Sequence, residues 1–385
     1  MQYIVPSVDG ATSILHALRC DFHEADQDEL IFCRGGSRLE FHALDPTGLR
    51  LIEDVPIYGT IIALLPFKQS GKTTSSLAVL LASYRFFILA YNSESNAIET
   101  EAAIDYTETT AARPADLLQN ILLDPQGAFL GIHAYNGLFR IVPLPTSESL
   151  ESSGNKRRKS TTTELEEEGK IDLDRSYNIR LPDYNVYSLV LLTLESTPTL
   201  VILHDDANGH KILRSRPILL DEKDFSEDAI QEFKIEDEGS ELLIPIPDEG
   251  VLVIGEARAV YIPLTAKGRS TTETGAAEDP ASSSPTSSRK GKGKRRASEI
   301  SVTSAGGVPS SPGKSRGKRR RVEERLPLEI YKSWVETDKD SFLLGDIHGG
   351  LLGLNLVRNS EGQVVGIETI EIGQVDPSLY TCSHF

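Results

Sequence analysis

The chain has 385 residues, with 40 Lys and Arg against 57 Asp and Glu, a formal net charge of −17 and 39% hydrophobic residues, enough for one large domain or two ordinary ones. Its longest apolar runs, such as residues 77–82 and 189–194, fall well short of the roughly 18 residues of a membrane span. Residues 1–6 lack a basic region followed by a long apolar one, and the cysteines are three, Cys20, Cys33 and Cys382, so a soluble protein that is neither secreted nor built on a disulfide framework is expected.

In chain order, strand-length apolar runs separated by turn chemistry recur, and sustained helical periodicity is hard to find. Residues 76–81 and 85–91 read as a hairpin around Ala82-Ser83-Tyr84. Residues 121–123, 128–134 and 138–142 read as a three-stranded meander, with turns at Asp124-Pro125-Gln126-Gly127 and Asn136-Gly137, the latter suited to a type I′ turn. Residues 147–170 hold Lys156-Arg157-Arg158-Lys159 and then an acidic run, as expected of a long polar disordered loop. Residues 200–204 and 211–216 form another hairpin around Asp205 to Gly209. Residues 342–346 and 351–356 form one more.

Between these last two hairpins the chain changes character. Residues 265–325 carry 15 Lys and Arg against 6 Asp and Glu, a local charge of +9, which leaves −26 on the other 324 residues. The stretch from Ser282 to Arg296 has no aliphatic or aromatic residue, so nothing there offsets the entropy of ordering, and the segment is expected to be disordered.

What remains is all-β: propeller blades at 1–146, 171–264 and 326–385, interrupted by the two polar segments. Open antiparallel sheets rarely exceed about ten strands, and about 300 residues at roughly 40 to 45 per four-stranded blade make a β-propeller of six or seven blades. The single tryptophan, Trp334, precedes Val335, so the Trp-Asp signature of ordinary repeat propellers is absent.

Particular residues then suggest a family. Arg38-Leu39-Glu40-Phe41, Gly48-Leu49-Arg50 and the run from Val55 to Ile61 resemble the opening of the damaged-DNA-binding protein 1 family, which includes the large propeller subunits of the cleavage/polyadenylation and splicing machineries. Arg113-Pro114, Asp124-Pro125, the run from Tyr135 to Leu144, Tyr177-Asn178-Ile179-Arg180-Leu181, Pro198-Thr199 and Leu343-Leu344-Gly345-Asp346 continue the resemblance in the same order. The Arg-Leu-Glu, Tyr-Gly and Asn-Ile-Arg-Leu features favour the damaged-DNA-binding branch. The resemblance implies the first, seven-bladed propeller of a nuclear adaptor in which one propeller holds a cullin 4 scaffold while the first and third clamp substrate-receptor proteins. It also implies a chain truncated at Phe385, before ring closure, with an exposed edge after residues 365–372. An RNA-processing subunit that binds nucleic acid is the alternative.

No catalytic, cofactor or metal site is expected. Gly71-Lys72-Thr73 lacks the upstream glycine of a phosphate loop, its place being taken by Pro66. Cys20, His23 and Cys33, with distant Cys382 and His384, supply no pair of close ligand couples, and read as buried thiols and a surface histidine. His204-Asp205-Asp206 reads as a turn former.

The basic segment has the sharpest reading. Lys290, Lys292, Lys294, Arg295 and Arg296, followed by Lys314, Arg316, Lys318, Arg319, Arg320 and Arg321, are expected to form a nuclear-import signal for an importin, with nuclear and some cytoplasmic residence. Ser298 and Ser311 sit in kinase-site contexts, where a phosphate would add negative charge beside the clusters. Contact with nucleic-acid phosphates is a weaker expectation, because the acidic body opposes it and no aromatics are interleaved for base stacking.

Overall fold

The computed structural model describes residues 13–107, 112–145, 171–227, 229–265 and 321–374. The basic residues from Lys290 to Arg320, Ser298, Ser311, Cys382, His384 and the 147–170 loop lie outside the described residues.

Six antiparallel sheets follow one another along the chain. Blade 1 comprises β1 (Ile14–Cys20), β2 (Glu29–Arg34), β3 (Arg38–Asp45) and β4 (Gly48–Pro56). Blade 2 comprises β5 (Ile61–Phe67), β6 (Ser76–Leu81), β7 (Arg85–Asn92) and β8 (Ala97–Asp105). Blade 3 comprises β9 (Asn120–Leu123), β10 (Phe129–His133), β11 (Leu138–Pro143) and β12 (Tyr177–Arg180). In blade 4, β13 (Val186–Leu194), β14 (Thr197–Asp205) and β15 (Lys211–Leu219) are completed by two short strands, β16 (Asp224–Phe225) and β17 (Gln231–Lys234), that share the outer edge of β15. Blade 5 comprises β18 (Leu242–Ile246), β19 (Gly250–Ile254), β20 (Arg258–Pro263) and β21 (Val322–Arg325). Blade 6 comprises β22 (Tyr331–Asp338), β23 (Ser341–Asp346), β24 (Gly350–Arg358) and β25 (Val364–Gln374). First strands pack in series, β1 on β5, β5 on β9, β9 on β13, β13 on β18 and β18 on β22, which is the succession of a β-propeller. Among the described residues, no helix is long and apolar enough to cross a membrane.

The core is divided among the junctions between blades. Because successive strand residues face opposite sides, a blade with neighbours on both sides needs apolar residues at consecutive positions. In β6, Leu77, Val79 and Leu81 enter the wedge with blade 1, while Ala78 and Leu80 enter the wedge with blade 3. Five such apolar wedges join blades 1 to 2, 2 to 3, 3 to 4, 4 to 5 and 5 to 6, and among the described residues none joins blade 6 to blade 1.

The structure corrects three sequence expectations. The Asn136-Gly137 turn has positive φ at Gly137 alone, 81°, with Tyr135 accepting from Leu138 N at 3.3 Å, so it has the type II rather than the type I′ pattern. The basic insertion was expected to run through residue 325, but Val322–Arg325 is strand β21, paired with β20 and anchored by buried Val322. His23 is no surface residue: its ring, 10% exposed, lies between Glu29 and Glu53 and packs on Phe22, Phe41 and Tyr91.

Candidate docking face

Each blade's outer strand is joined to the next blade's first strand by a connection lying on the side where first strands begin, here called the front. The turns joining second to third strands lie on the same side, and backbone hydrogen bonds tie the two sets together. Ile57 N donates to Ser37 O at 2.8 Å, Asn136 N to Arg113 O at 2.8 Å, Glu329 N to Glu256 O at 3.1 Å and Ile347 N to Ile330 O at 3.0 Å. The sequence favours these crossings locally: Gly137 supplies a backbone with no Cβ where Leu181 N donates to its carbonyl at 2.9 Å.

Large apolar side chains protrude from this face. Tyr58 is 94% exposed on the connection from blade 1 to blade 2, Leu117 54% on the next, Tyr184 60% on the third, and Leu328 77% on the connection into blade 6, with Ile347 beside it on the blade 6 turn. The remaining connection, from blade 4 to blade 5, carries Glu236, Asp237 and Glu238 instead. Asp237 accepts from Gly239 N of its own loop at 3.0 Å and from Ala257 N of the turn between β19 and β20 at 3.1 Å, tying the two together.

Inside the ring of connections lies a cavity of about 950 Å³, walled by β5, β9, β13, β18 and β22. Polar side chains gather at its front: Asp116, Tyr187, Glu241 and Lys332, the last two ion-paired. Tyr187 donates from its hydroxyl to Asp205 at 2.9 Å; burial, then this carboxylate, pushes the phenol up to about 12. The buried Lys211 ammonium lies over the Tyr187 ring, 3.7 Å from Asp205, and burial lowers its pKa. Nearby, the Asp183 carboxylate, with no exposed surface, pairs with Arg214 and with Arg216 Nε at 2.8 Å and lies 3.4 Å from His204. These pairs fix the blade 3 to 4 connection, so Tyr184 next to Asp183 projects from a firm base.

The residues singled out from sequence are dispersed. Lys72 is ion-paired with Glu101 in the turn between β5 and β6. Cys20 and Cys33 are buried free thiols, pushed by burial up to about 12 and about 11. Asp206 accepts from Asn208 N at 2.7 Å and His210 N at 2.8 Å, the role of a turn former. Arg321, the one import-segment residue described, donates to Lys234 O at 2.9 Å and lies over the Phe233 ring. Among the described residues, no three His, Cys, Asp or Glu side chains are placed to hold a metal ion. Apart from Tyr58, which falls in the run from Val55 to Ile61 that carried the family resemblance, the front-face residues went unnoticed in the sequence.

Blade succession, wedge cores and a central channel define a β-propeller. The family model described as the RSE1/DDB1/CPSF1 first beta-propeller matches residues 13–383, and the chain belongs to that family. It is 31% identical over 252 residues to DNA damage-binding protein 1a of Arabidopsis thaliana and, over the same length, to DNA damage-binding protein 1 of Solanum lycopersicum, covering 65% of this chain and 21% of each relative. DNA damage-binding protein 1 of Schizosaccharomyces pombe is 27% identical over 251 residues, 65% of this chain and 22% of the relative. The chain thus spans about a fifth of the length of these curated relatives.

Proposed function

We propose that this chain is a noncatalytic docking propeller of a nuclear adaptor, holding receptor proteins of the kind that serve a cullin 4 ubiquitin ligase in DNA repair or chromatin pathways. The observation that carries the reading is the front face, where Tyr58, Leu117, Tyr184 and Leu328 stand exposed on four of the five described connections around the channel. Family membership supports it, since the relatives matched in sequence are DNA damage-binding proteins. Docking needs no cofactor or small-molecule substrate. The two basic clusters from Lys290 to Arg296 and from Lys314 to Arg321 serve as the import signal, with Ser298 and Ser311 as phosphorylation sites that weaken importin binding.

The test is copurification of the chain, expressed in nucleated cells, with cullin 4 receptor proteins on one side and polyadenylation or splicing subunits on the other. Receptor proteins are expected. Recovery of the RNA-processing subunits alone would move the chain to that branch and sink the adaptor reading. In the same cells, deleting residues 289–320 is expected to shift the protein from nucleus to cytoplasm, and unchanged nuclear accumulation would remove the import role.

A further inference from the structure

We infer that β17 is an intramolecular clip for the basic insertion: it grips the chain on both sides of residues 266–320, and it withholds Arg321 from an import receptor that reads the insertion. The second half of this inference rests on the import role proposed above; the first half stands on geometry alone.

The outer edge of blade 4 is built in two pieces. β16 pairs with β15 at Ile218 and Leu219, and β17 pairs with the same strand from Ile212 to Ser215. Successive side chains of β17 alternate between the two sides of the sheet. Glu232 opposes Arg214 and accepts from its Nε at 3.1 Å and its Nη2 at 2.7 Å, which fixes β17 to blade 4. Gln231 and Phe233 take the other side, where Phe233 packs on the wedge between blades 4 and 5.

Both ends of the insertion reach that side. At the outgoing end, Gln231 Nε2 donates to Leu264 O at 3.2 Å, and the Leu264 side chain is buried in the same wedge. Leu264 N and Thr265 N both donate to Glu249 O, at 2.8 and 3.2 Å, so the chain is held up to the last residue before the insertion. At the returning end, Val322 opposes Tyr261 of β20 and is buried with it in the wedge between blades 5 and 6. Strand alternation then turns Arg321 toward blade 4. Its Nη1 donates to Lys234 O at 2.9 Å, and its guanidinium lies 5.8 Å from the centre of the Phe233 ring.

An import receptor takes extended Lys and Arg side chains into an acidic groove. The Arg321 guanidinium is committed to Lys234 O and Phe233, and the next residue is buried and paired in β21. Reading Arg321 therefore means stripping β21 from β20, whereas a receptor that stops at Arg320 leaves the clip closed.

Arg320→Gln and Arg321→Gln remove the same charge from the same cluster and separate the two roles. Hydrogen exchange of the full chain, read by mass spectrometry, is expected to speed up roughly five- to tenfold at the amides of Val322–Arg325 in Arg321→Gln, through loss of the hydrogen bond and the ring contact. Arg320→Gln should leave these amides at the parent rate. Phe233→Leu keeps the apolar packing, removes the ring and should speed them about two- to fivefold. The amides of Gly250–Ile254 in β19 serve as the internal control and should exchange as in the parent. Unchanged exchange at Val322–Arg325 in both Arg321→Gln and Phe233→Leu, or equal speeding by Arg320→Gln, would overturn the clip. A saturating concentration of purified importin, added to the parent chain, should leave Val322–Arg325 at the parent rate; acceleration there would show that the receptor pulls Arg321 away and would overturn the withholding. If importin does not bind the chain, the import role falls and the withholding with it, while the exchange rates of the variants still decide the clip.

Discussion

The second strand of blade 4 and the second strand of blade 6 occupy equivalent places, but they live in different surroundings. In β14, Leu200 and Ile202 enter the wedge with blade 3 and Val201 and Leu203 enter the wedge with blade 5, all fully buried. In β23, Phe342 and Leu344 enter the wedge with blade 5, while Leu343 between them is only half-buried on the other side. Blade 1 mirrors this: Ile31 and Cys33 of β2 are buried against blade 2, and Leu30 and Phe32 are not. Among the described residues, an interior blade is thus stabilised by two wedges and blades 1 and 6 by one each. Each fully buried aliphatic side chain contributes about 1.5 to 3 kcal/mol, so the difference accumulates quickly over a sheet.

The sharpest way to break this comparison is a matched pair of truncations. Leu203→Ala removes a side chain with atoms on every side and should cost about 3 to 4 kcal/mol. Leu343→Ala, at the same kind of position in blade 6, should cost about 1 kcal/mol or less. Urea unfolding of both variants checks it, and equal losses would mean that the outward side of blade 6 is as well packed as an interior wedge.

Much of the fold was legible because of the double-wedge rule. Leu77–Leu81 and Leu200–Leu203 are uninterrupted apolar runs of strand length, as strands covered on both faces require, and turns elsewhere announce themselves through Gly127, Gly137 and Gly209. The outer strands were harder. β4 is exposed over most of its length and β21 is four residues following a basic run, so neither carries a strong apolar signal. The candidate face was not legible, because Tyr58, Leu117, Tyr184 and Leu328 are isolated in sequence and become a set only when successive blades turn their connections to one side. His23 was misread for a related reason: one of its carboxylate partners, Glu53, comes from β4, thirty residues away.

A smaller effect separates blade 3 from blade 1 through pH. His133 of β10 is buried, its Nδ1 2.9 Å from Leu118 O, and burial pushes its pKa down to about 4. The unfolded chain takes up this proton near pH 6.5, which the fold resists, so the stability is fully present above 6.5 and falls as pH drops toward 4, by roughly 3 kcal/mol. His23 has the opposite sign. Burial lowers its pKa, but hydrogen bonds and charge from Glu29 and Glu53 outweigh that and raise it, so its contribution is present below pH 6.5 and lost as pH rises through the raised value. Thermal unfolding followed from pH 7 to 4 should show a shallower acid loss in His133→Gln than in the parent. In His23→Gln the deficit relative to the parent should be larger at pH 5.5 than at pH 8. Parallel curves for parent and His133→Gln would show that the imidazole reaches solvent in the folded state.

The smallest effect on stability is expected at the outward side of blade 6, and it is informative because the side chains there are the wrong kind for solvent. Val335 pairs with Leu343, Leu343 with Gly353 and Gly353 with Ile370, an apolar row across all four strands, and Ile370 and Ile372 are 56% and 60% exposed. β25 is also the outermost strand and eleven residues long, an edge that can pair with another chain. Ile370→Asp should therefore change the unfolding free energy by no more than about 0.5 kcal/mol while lowering concentration-dependent light scattering, because it places a charge where two such rows would meet. A loss above roughly 1.5 kcal/mol would mean that the row is covered within the molecule, and blade 6 would then count among the blades stabilised on both sides.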